Sequence, residues 1–346
     1  MAKLFENNTE IKFPGVTFIL GNGFDLHLGM KTSYNDMYEG YIKSPSATPV
    51  IEVFKKELSQ REPYGRWADF EMGMAEYAQT LSSEDELIEC LRDFKNYMVL
   101  HLNSENQRMM SLIQDDAYIV EISNELNRSF NKFHDKFVPN VRNQLERIIN
   151  GGLAQYNVIT FNYTTVLDAM MRVRNRHTSV TMDSPIHIHG SLGRDVVLGI
   201  DNLEQFHANE FSLSKKGQRA FVKTYFNEVF DKERVSKTQE IIRNSDVIIT
   251  YGFSMGESDK TWTDLIVEWL YSDLNHHLIV FKHDKKSYGL HNFDELMDVE
   301  ETKKEKLMTQ LGIKDDSIFD QIHIPVGFDI FNFEFKKVVS TILPRR

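Results

Sequence analysis

The chain has 346 residues, and its 40 lysines and arginines against 51 aspartates and glutamates give a net charge of −11. This acidic balance argues against a nucleic-acid partner, whose phosphates have to be neutralised by basic side chains, and no apolar run approaches the roughly 18 residues that predict a membrane span. Cys90 is the only cysteine, which excludes an internal disulfide and a CxxC zinc site and, with an N-terminus that lacks an apolar secretory segment, predicts a cytoplasmic protein.

Five short apolar runs predict buried strands of a parallel sheet, because each run is continuous and does not alternate with polar residues. They lie at Val16–Leu20, Asn157–Phe161, Ile186–His189, Asp246–Tyr251 and His277–Phe281. A weaker sixth run lies at Val196–Ile200. From the second run onward, strands alternate along the chain with helical patterns, which is typical of α/β folds.

The long segment between the first two strands predicts helices, since its apolar residues recur every three or four positions. The clearest stretches are Pro49–Leu58, Asp85–Asn103 and Tyr118–Asn150. The predicted fold class is therefore α/β, with a doubly wound, mostly parallel sheet and a large helical insertion after the first strand. We expect residues 10–32 and 153–346 to form the α/β domain and residues 33–152 to form an insertion that covers its cleft. The charged segment Leu290–Asp315 is typical of either a surface helix pair or a mobile excursion.

The first predicted strand ends in two glycines, Gly21 and Gly23, with Asn22 between them and Phe24 and Asp25 directly after. Ligands of open parallel sheets bind outside the carboxyl ends of the strands, so this loop either holds a nucleotide against its backbone or makes a plain tight turn. A complete GxGxxG pattern is absent, because the third glycine position holds a leucine. The aspartate could bond a ribose, or it could cap the loop by accepting hydrogen bonds from backbone amides.

Polar residues also end the second and third strands. Asn162 and Thr164 follow the second strand, and His189 and Gly190 close the third. The asparagine could instead be the N-cap of a helix that begins three residues later. His187 and His189 alternate, so in a strand they face the same side, and each is either a structural core histidine or a base that titrates near neutral pH.

The fourth strand is followed by Gly252, Ser254 and Asp259. Ser254 either contacts a ribose, since Gly252 permits close approach of the backbone, or caps the next helix. We interpret Asp259 as a helix cap, because a carboxylate suits the positive end of a helix dipole. The carboxyl ends of parallel strands meet at one edge of a sheet, so we expect all four loops to lie together.

The order of these loops resembles the bacterial AbiH-type abortive infection family, a phage-defence group, and is remotely similar to the sirtuin-like NAD-binding fold. The matching stretches are GNGFDLHLGMKTSY (Gly21–Tyr34), TFNYT (Thr160–Thr164), HIHGSL (His187–Leu192) and YGFSMGESD (Tyr251–Asp259). The AbiH resemblance spans most of the chain and implies a role in abortive infection. The sirtuin resemblance covers the α/β part alone, and it implies that NAD is a substrate or ligand rather than a true cofactor.

The sirtuin resemblance implies a task for each loop. The glycine loop would meet the NAD pyrophosphate, and Asn162 would lie near the nicotinamide ribose. His189 with Gly190 would supply the base, while Gly252 with Ser254 would contact the adenine-side ribose. The NAD-binding set that these loops imply is Gly21, Asn22, Gly23, Phe24, Thr164, Gly190, Gly252 and Ser254.

The resemblance to sirtuins is incomplete in a way that bears on the reaction. A sirtuin deacylase carries a four-cysteine zinc module, which a chain with one cysteine cannot form. Protein deacylation is therefore not expected. The resemblance to the sirtuin-like effectors of phage defence implies instead cleavage of NAD at the nicotinamide–ribose bond, with Asn162, His189 and Asp25 as catalytic residues and no metal. An amide can hold a water or a ribose hydroxyl, and an imidazole can accept a proton near neutral pH.

Two other functions fit the same motifs. The first is a nucleotide-sensing module that binds NAD without turnover and signals through partner contacts. The second is a hydrolase acting on another nucleotide, in which Asp25, His27 and Asp36 would be metal-ligand candidates. We expect no membrane partner, and either a homo-oligomer or a phage-derived activator as the protein partner.

Overall fold

A computed structural model of the chain describes residues 3–6, 9–60, 69–114, 116–149, 154–178, 181–281, 293–326 and 329–333. Near the start of the chain, strands β1 (Lys3–Glu6) and β2 (Thr9–Lys12) pair as an antiparallel hairpin. This hairpin forms a sheet of its own and does not extend the main sheet.

The main sheet has six strands, and every neighbouring pair is parallel. The strands are β3 (Gly15–Leu20), β4 (Gln155–Thr160), β5 (Ile186–His187), β6 (Val247–Tyr251), β7 (His277–Phe281) and β8 (Ile322–His323). Their order across the sheet is β5-β4-β3-β6-β7-β8. The predicted α/β class is confirmed. After β3 the chain adds strands on one side as far as β5 and then on the other side from β6 to β8, so the switch point where doubly wound folds bind ligands lies beside β3.

Three strand predictions differ from the structure. β5 ends at His187, two residues earlier than expected, because the chain turns at Gly190, whose φ of 73° is left-handed. The run Val196–Ile200 is not a strand in the described chain; it packs into a helical core, and Ile200 makes only an isolated bridge with Val222. β8 was not predicted, since two residues are too few to show a periodic pattern.

Helices fill the connections between the strands. The α-helices of the described residues are α1 (Gly23–His27), α2 (Tyr34–Lys43), α3 (Pro49–Ser59), α4 (Phe70–Tyr77), α5 (Glu84–Ile113), α6 (Asp116–Asn131), α7 (Pro139–Ile148), α8 (Val166–His177), α9 (Lys215–Phe221), α10 (Lys223–Phe230), α11 (Lys232–Arg243), α12 (Lys260–Ser272) and α13 (Phe293–Gln310). Within this described part of the chain, none of them combines the length and apolar character needed to cross a membrane. Residues 290–292 lie outside the described ranges, and the rest of the charged segment contains the one helix α13 instead of a pair.

Helices cover both faces of the main sheet, as a doubly wound fold requires. On one face, Phe18 of β3 packs against Phe130 of α6, with ring centroids 4.7 Å apart. On the other face, Ile19 joins a core that contains Trp269 of α12 and Leu307 of α13. Successive residues of a strand point to opposite faces, so the continuous apolar run of β3 supplies both cores.

The segment predicted as an insertion contributes to two separate cores. Helices α2 to α4 and the first part of α5 form a core that also takes in Leu192 and Phe221 from beyond β5. The end of α5 packs on the sheet together with α6 and α7, through residues such as Ile113, Ile122 and Leu145. The cores therefore separate within α5, and the predicted domain boundary near residue 152 stays a prediction.

The loops after β3 and β6 meet backbone to backbone at the switch point. The N–H of Gly21 donates to Tyr251 O, and the N–H of Gly23 donates to Gly252 O, both at 3.0 Å. A Cβ on Gly23 would lie 2.4 Å from the Cα of Gly252. Gly252 has a left-handed φ of 61°, a conformation that glycine adopts without strain. The glycines are thus required by the contact between two loops, a constraint that exists without any ligand.

Gly23→Ala should lower the free energy of unfolding by about 1–3 kcal/mol, the usual cost of overfilling a packed region, because the loop after β6 would have to move. Gly256→Ala is the matched control, since it lies on the same cavity wall and its Cβ would meet nothing closer than Ser254 Oγ at 3.4 Å. Urea denaturation measures both variants. Equal stabilities would contradict the close approach of the two loops.

Candidate functional site

A cavity of about 630 Å³ opens at the carboxyl ends of the central strands. The strand register places Leu20 of β3 beside Thr160 of β4 on one side and Tyr251 of β6 on the other, so the loops after these three strands meet there. Helices α2 and α4 contribute Tyr34 and Glu71 to the wall. The volume falls within the roughly 300–1,000 Å³ typical of small-molecule sites.

The structure brings most of the predicted site residues together on this wall. They are Gly21, Asn22, Gly23, Asp25, Asn162, Thr164, His189, Gly252 and Ser254. Two other described residues, Phe24 and Gly190, lie outside the wall. Phe24 is fully buried in the core, with its ring centroid 5.2 Å from that of Phe331. Gly190 turns the chain, and a side chain there would collide with the carbonyl of Asp195.

The glycine loop has few amides left for a phosphate. The N–H groups of Gly21, Gly23 and Phe24 are already bonded to backbone carbonyls. Among the described residues, the N–H groups of Asn22 and Asp25 donate to no other atom. The Asn22 side chain is itself fixed by hydrogen bonds to the carbonyl and hydroxyl of one neighbouring threonine. The loop can therefore offer two amides to an anion.

Asp25 is a buried carboxylate with one unpaired oxygen. The residue is 1% exposed, and its Oδ2 accepts a 2.6 Å hydrogen bond from Thr164 Oγ1. Its Oδ1 has no hydrogen-bond partner among the described residues. Burial raises the pKa of Asp25 to about 6, against the lowering effects of Thr164, Asn162 and His187. The alternative in which Asp25 caps the loop amides is wrong, because its bonded oxygen accepts from a hydroxyl.

The side-chain amide of Asn162 is buried without a partner. Neither Oδ1 nor Nδ2 makes a hydrogen bond of good geometry within the described part of the chain; the amide approaches the Asp25 carboxylate and lowers its pKa as a hydrogen bond does, but the contact does not meet hydrogen-bond geometry, which is the stricter test. The N-cap alternative is wrong: α8 begins at Val166, and the N–H of the preceding Thr165 donates to Asn106 Oδ1. Leaving both groups of a buried amide unpaired is costly, so a bound ligand is the expected partner.

His187 anchors the backbone of the Asn162 loop. Its Nδ1 lies 2.9 Å from the carbonyl oxygen of Asn162, and its Nε2 lies 2.8 Å from the carboxylate of Asp168. The expectation that His187 and His189 share one side of a strand is wrong, because the strand ends at His187 and the two rings meet different partners. His189 instead lies 3.0 Å from Asp259.

His189 lies on the cavity wall, and its surroundings lower its pKa. Burial, together with the nearby charge of Lys223, lowers its pKa against the opposing effect of Asp259. Its Nε2 is enclosed and lies 3.0 Å from Asp259 Oδ1, out of line for a hydrogen bond. No hydrogen bond is formed by its Nδ1 within the described chain, and the residue lies on the cavity wall.

A buried charge network lies behind His189. Lys223 is 3% exposed and donates to Asp259 Oδ1 at 3.0 Å and to Ser258 O at 2.8 Å. The pKa of Lys223 is raised, because Asp259 and Glu71 outweigh the lowering effect of burial. The pKa of Asp259 is lowered, because Lys223 and His189 outweigh the raising effect of burial. Glu71 Oε1 lies 3.6 Å from the same ammonium. One ammonium cannot neutralise two carboxylates, and burial raises the pKa of Glu71 to about 8, so Glu71 holds its proton at neutral pH.

Asp259 and Ser254 do not act as the predicted helix caps. Asp259 occupies the N-cap position of α12, but its side chain makes no capping hydrogen bond, because it pairs with Lys223. Ser254 is exposed on the cavity wall and precedes both N-cap residues of the helical turns that follow. The ribose contact of Ser254 stays a prediction.

Lys223 and Glu71 were missed by sequence reasoning because neither follows a strand. Lys223 is the first residue of α10, and Glu71 is the second residue of α4. The local hint in each case is a charged residue directly after a buried apolar one, at Val222 and Phe70 respectively. That pattern indicates burial of a charge without naming its partner.

The metal-ligand alternative is not supported by the geometry. Asp36 closes a capping box at the start of α2, and Nδ1 of His27 lies 3.3 Å from Asp329, so these residues do not converge on Asp25. Within the described ranges, one group of side chains has metal-binding geometry, and it lies outside the cavity wall. It consists of His134, Asp135 and Glu146.

The fold and the cavity define a doubly wound α/β protein with a cavity at its switch point, walled in part by helices inserted after β3. Residues 17–281 match the family described as bacteriophage abortive infection AbiH. The match spans well over half of the chain, and the chain belongs to this family, whose role is abortive infection, a defence against phage. A comparison with curated proteins gave no match. The AbiH resemblance is confirmed, whereas the similarity to sirtuins stays a prediction.

Asp25→Asn should stabilise the protein at neutral pH. The folded pKa of about 6 exceeds the ordinary 3.8, so the stability that this carboxyl contributes is present at low pH and is lost as the pH rises through 6. Asparagine stays neutral and can still accept from Thr164. The gain should grow between pH 4 and pH 7 to at most about 3 kcal/mol, since a tenfold change in proton affinity is worth about 1.4 kcal/mol.

Chemical denaturation across this pH range measures the gain. Asp264→Asn is the control, because Asp264 is exposed and pairs with Lys260 on the surface of α12. A gain for Asp25→Asn that does not depend on pH would contradict the burial of an unpaired carboxylate.

Replacing Lys223 should raise the pKa of His189, because the ammonium is one of the two main causes that lower it. Lys223→Met/Glu71→Gln removes the cation together with the acidic group of Glu71 that faces it, and leaves Asp259 to favour the imidazolium. The His189 ring resonances, followed by NMR against pH, report the shift. Glu71→Gln alone keeps the ammonium and should not raise the pKa; an unchanged pKa in the double variant would refute the role assigned to Lys223.

Proposed function

We propose that the cavity binds NAD and hydrolyses the nicotinamide–ribose bond, so that the abortive infection role is exerted by depleting NAD. One observation carries this proposal. The buried amide of Asn162 has both polar groups unpaired among the described residues, beside the half-unpaired carboxylate of Asp25. His189 lines the same cavity. Such a set of unsatisfied groups is suited to a polar ligand with several hydroxyls, such as a ribose.

The chemistry requires little beyond charge stabilisation and an oriented water. When the C–N bond breaks, nicotinamide leaves as a neutral molecule and C1′ of the ribose becomes cationic. Asp25, ionised above a pH of about 6, would stabilise that charge, and Asn162 would hold a ribose hydroxyl or the water. Water attacks C1′ and its proton passes to His189, which gives ADP-ribose, nicotinamide and one proton overall.

The charges on the wall favour the cationic nicotinamide end of NAD over its phosphates. Lys223 is the one lysine or arginine on the described wall, and Asp259 neutralises it at 3.0 Å. The carboxylates of Asp25 and Asp69 also line the cavity and would attract a pyridinium ring. The pyrophosphate would rely on the free amides of Asn22 and Asp25, at the start of a helix.

Asn162→Ala and His189→Ala should each reduce NAD hydrolysis by about 100- to 1,000-fold, as expected for losing an orienting or proton-accepting group. Stability should change little in Asn162→Ala, because the amide has no partner among the described residues. Release of nicotinamide from purified protein, measured by chromatography, tests this. His207→Ala, at an exposed histidine outside the cavity wall, is the matched control and should keep full activity.

Binding assays separate turnover from sensing. If calorimetry detects NAD binding while no nicotinamide is released, the protein is a nucleotide-sensing module and the hydrolytic proposal fails. If both variants hydrolyse NAD like the wild type, the residues have been assigned wrongly. Wild-type protein that neither binds nor cleaves NAD would overturn the choice of substrate itself.

A further inference from the structure

A second cavity, of about 380 Å³, lies between α5, α9 and α10, apart from the candidate site. Every charged residue that lines it is basic: Arg92 and Lys95 come from α5, and Arg219 comes from α9. In a chain with a net charge of −11, this is a local reversal of charge. A concave surface with one sign of charge concentrates ions of the opposite sign.

The three cations have no carboxylate partner of their own. Arg92, Lys95 and Arg219 form no ion pair within the described part of the chain. Burial lowers the pKa of Lys95, and Asp195, which lies beyond ion-pair distance, offsets part of that effect by raising it. A neighbouring hollow that shares Arg92 does contain carboxylates, so the basic character is confined to this cavity. Like charges that line one cavity without ion-pair partners are stabilised when an anion binds between them.

Apart from Asn96, the rest of the cavity is apolar, and this sets the kind of anion it suits. Val196, Leu198 and Val222 are buried residues of its floor, and the half-buried ring of Phe226 borders it. We propose that this cavity binds a small organic phosphate, with the phosphate at the three basic side chains and an aromatic or apolar group on the floor. A phosphate monoester carries about two negative charges at neutral pH, and arginine binds its oxygens in a bidentate geometry.

The floor of this cavity is continuous with the backbone that holds the candidate site. The N–H of Val197 donates to His189 O at 2.9 Å, and Tyr163 Oη donates to Val197 O at 2.7 Å. Val222 directly precedes Lys223 in the chain. A phosphate bound here would therefore rest on the segments that place His189 and Lys223. The proposal concerns binding alone and does not depend on NAD being the substrate of the other cavity.

Calorimetry with phenyl phosphate at low ionic strength tests the proposal, with phenol as the uncharged comparison. The wild type should bind phenyl phosphate and not phenol. Arg92→Ala/Arg219→Ala should bind it at least about tenfold more weakly, because charge-assisted hydrogen bonds are lost. Both arginines are exposed, so the double variant should fold, and its melting temperature checks this. Arg243→Ala, at an exposed arginine on α11, is the charge-matched control and should bind like the wild type.

Lys95→Gln gives a second, independent variant, which should also weaken binding. No binding of phenyl phosphate by the wild type at millimolar concentration would overturn the proposal. Equal affinities for the wild type and the double variant would do so as well. Phenol that binds as tightly as phenyl phosphate would show that the cavity recognises the apolar group alone, which contradicts the assigned role of the basic side chains.

Discussion

The buried ammonium of Lys223 is the constraint on which the candidate site depends. A charge so deeply buried is tolerated only when it is paired and hydrogen-bonded, and here the ionised Asp259 and the protonated Glu71 that face it come from distant parts of the chain. Asp259 reaches it from the loop after β6, and Glu71 reaches it from α4. The pairing therefore ties the helices inserted after β3 to the edge of the sheet. It also fixes Asp259 beside His189, so that the geometry of the imidazole depends on the lysine.

Much of the fold could be predicted because parallel strands that are buried on both faces have continuous apolar sequences. Val16–Leu20 and His277–Phe281 are of this kind, and both are strands of the central sheet. Val196–Ile200 has the same composition, but its backbone bonds to the segment around His189 and its side chains join a helical core. The apolar composition of such a run predicts that it is buried. It does not predict which part of the protein buries it, because that depends on tertiary contacts. Ile322–His323 is a strand only because β7 offers it an edge.

The candidate site likewise has residues that could be predicted from the sequence and residues that could not. Residues that directly follow strands, such as Asp25, Asn162 and His189, could be found from sequence because the carboxyl ends of parallel strands converge. Lys223 and Glu71 could not, since they lie on helices and their pairing is a long-range contact. The glycines were selected because a phosphate could approach them, whereas the structure shows that they allow contact between two loops. Gly23 and Gly252 allow two loops to touch, and a sequence cannot distinguish a glycine that faces a backbone from one that faces a phosphate.

The central claim is that the unpaired groups of Asn162 and Asp25 receive the nicotinamide ribose of NAD, with His189 Nδ1 facing the bond that breaks. The most direct measurement is a crystal structure of the protein with carba-NAD, in which a methylene replaces the ring oxygen of that ribose and cleavage is blocked. The account predicts hydrogen bonds from the ribose hydroxyls to Asn162 or Asp25, with C1′ facing His189. An analogue bound with its nicotinamide end outside this cavity, leaving the Asn162 amide unpaired, would contradict it.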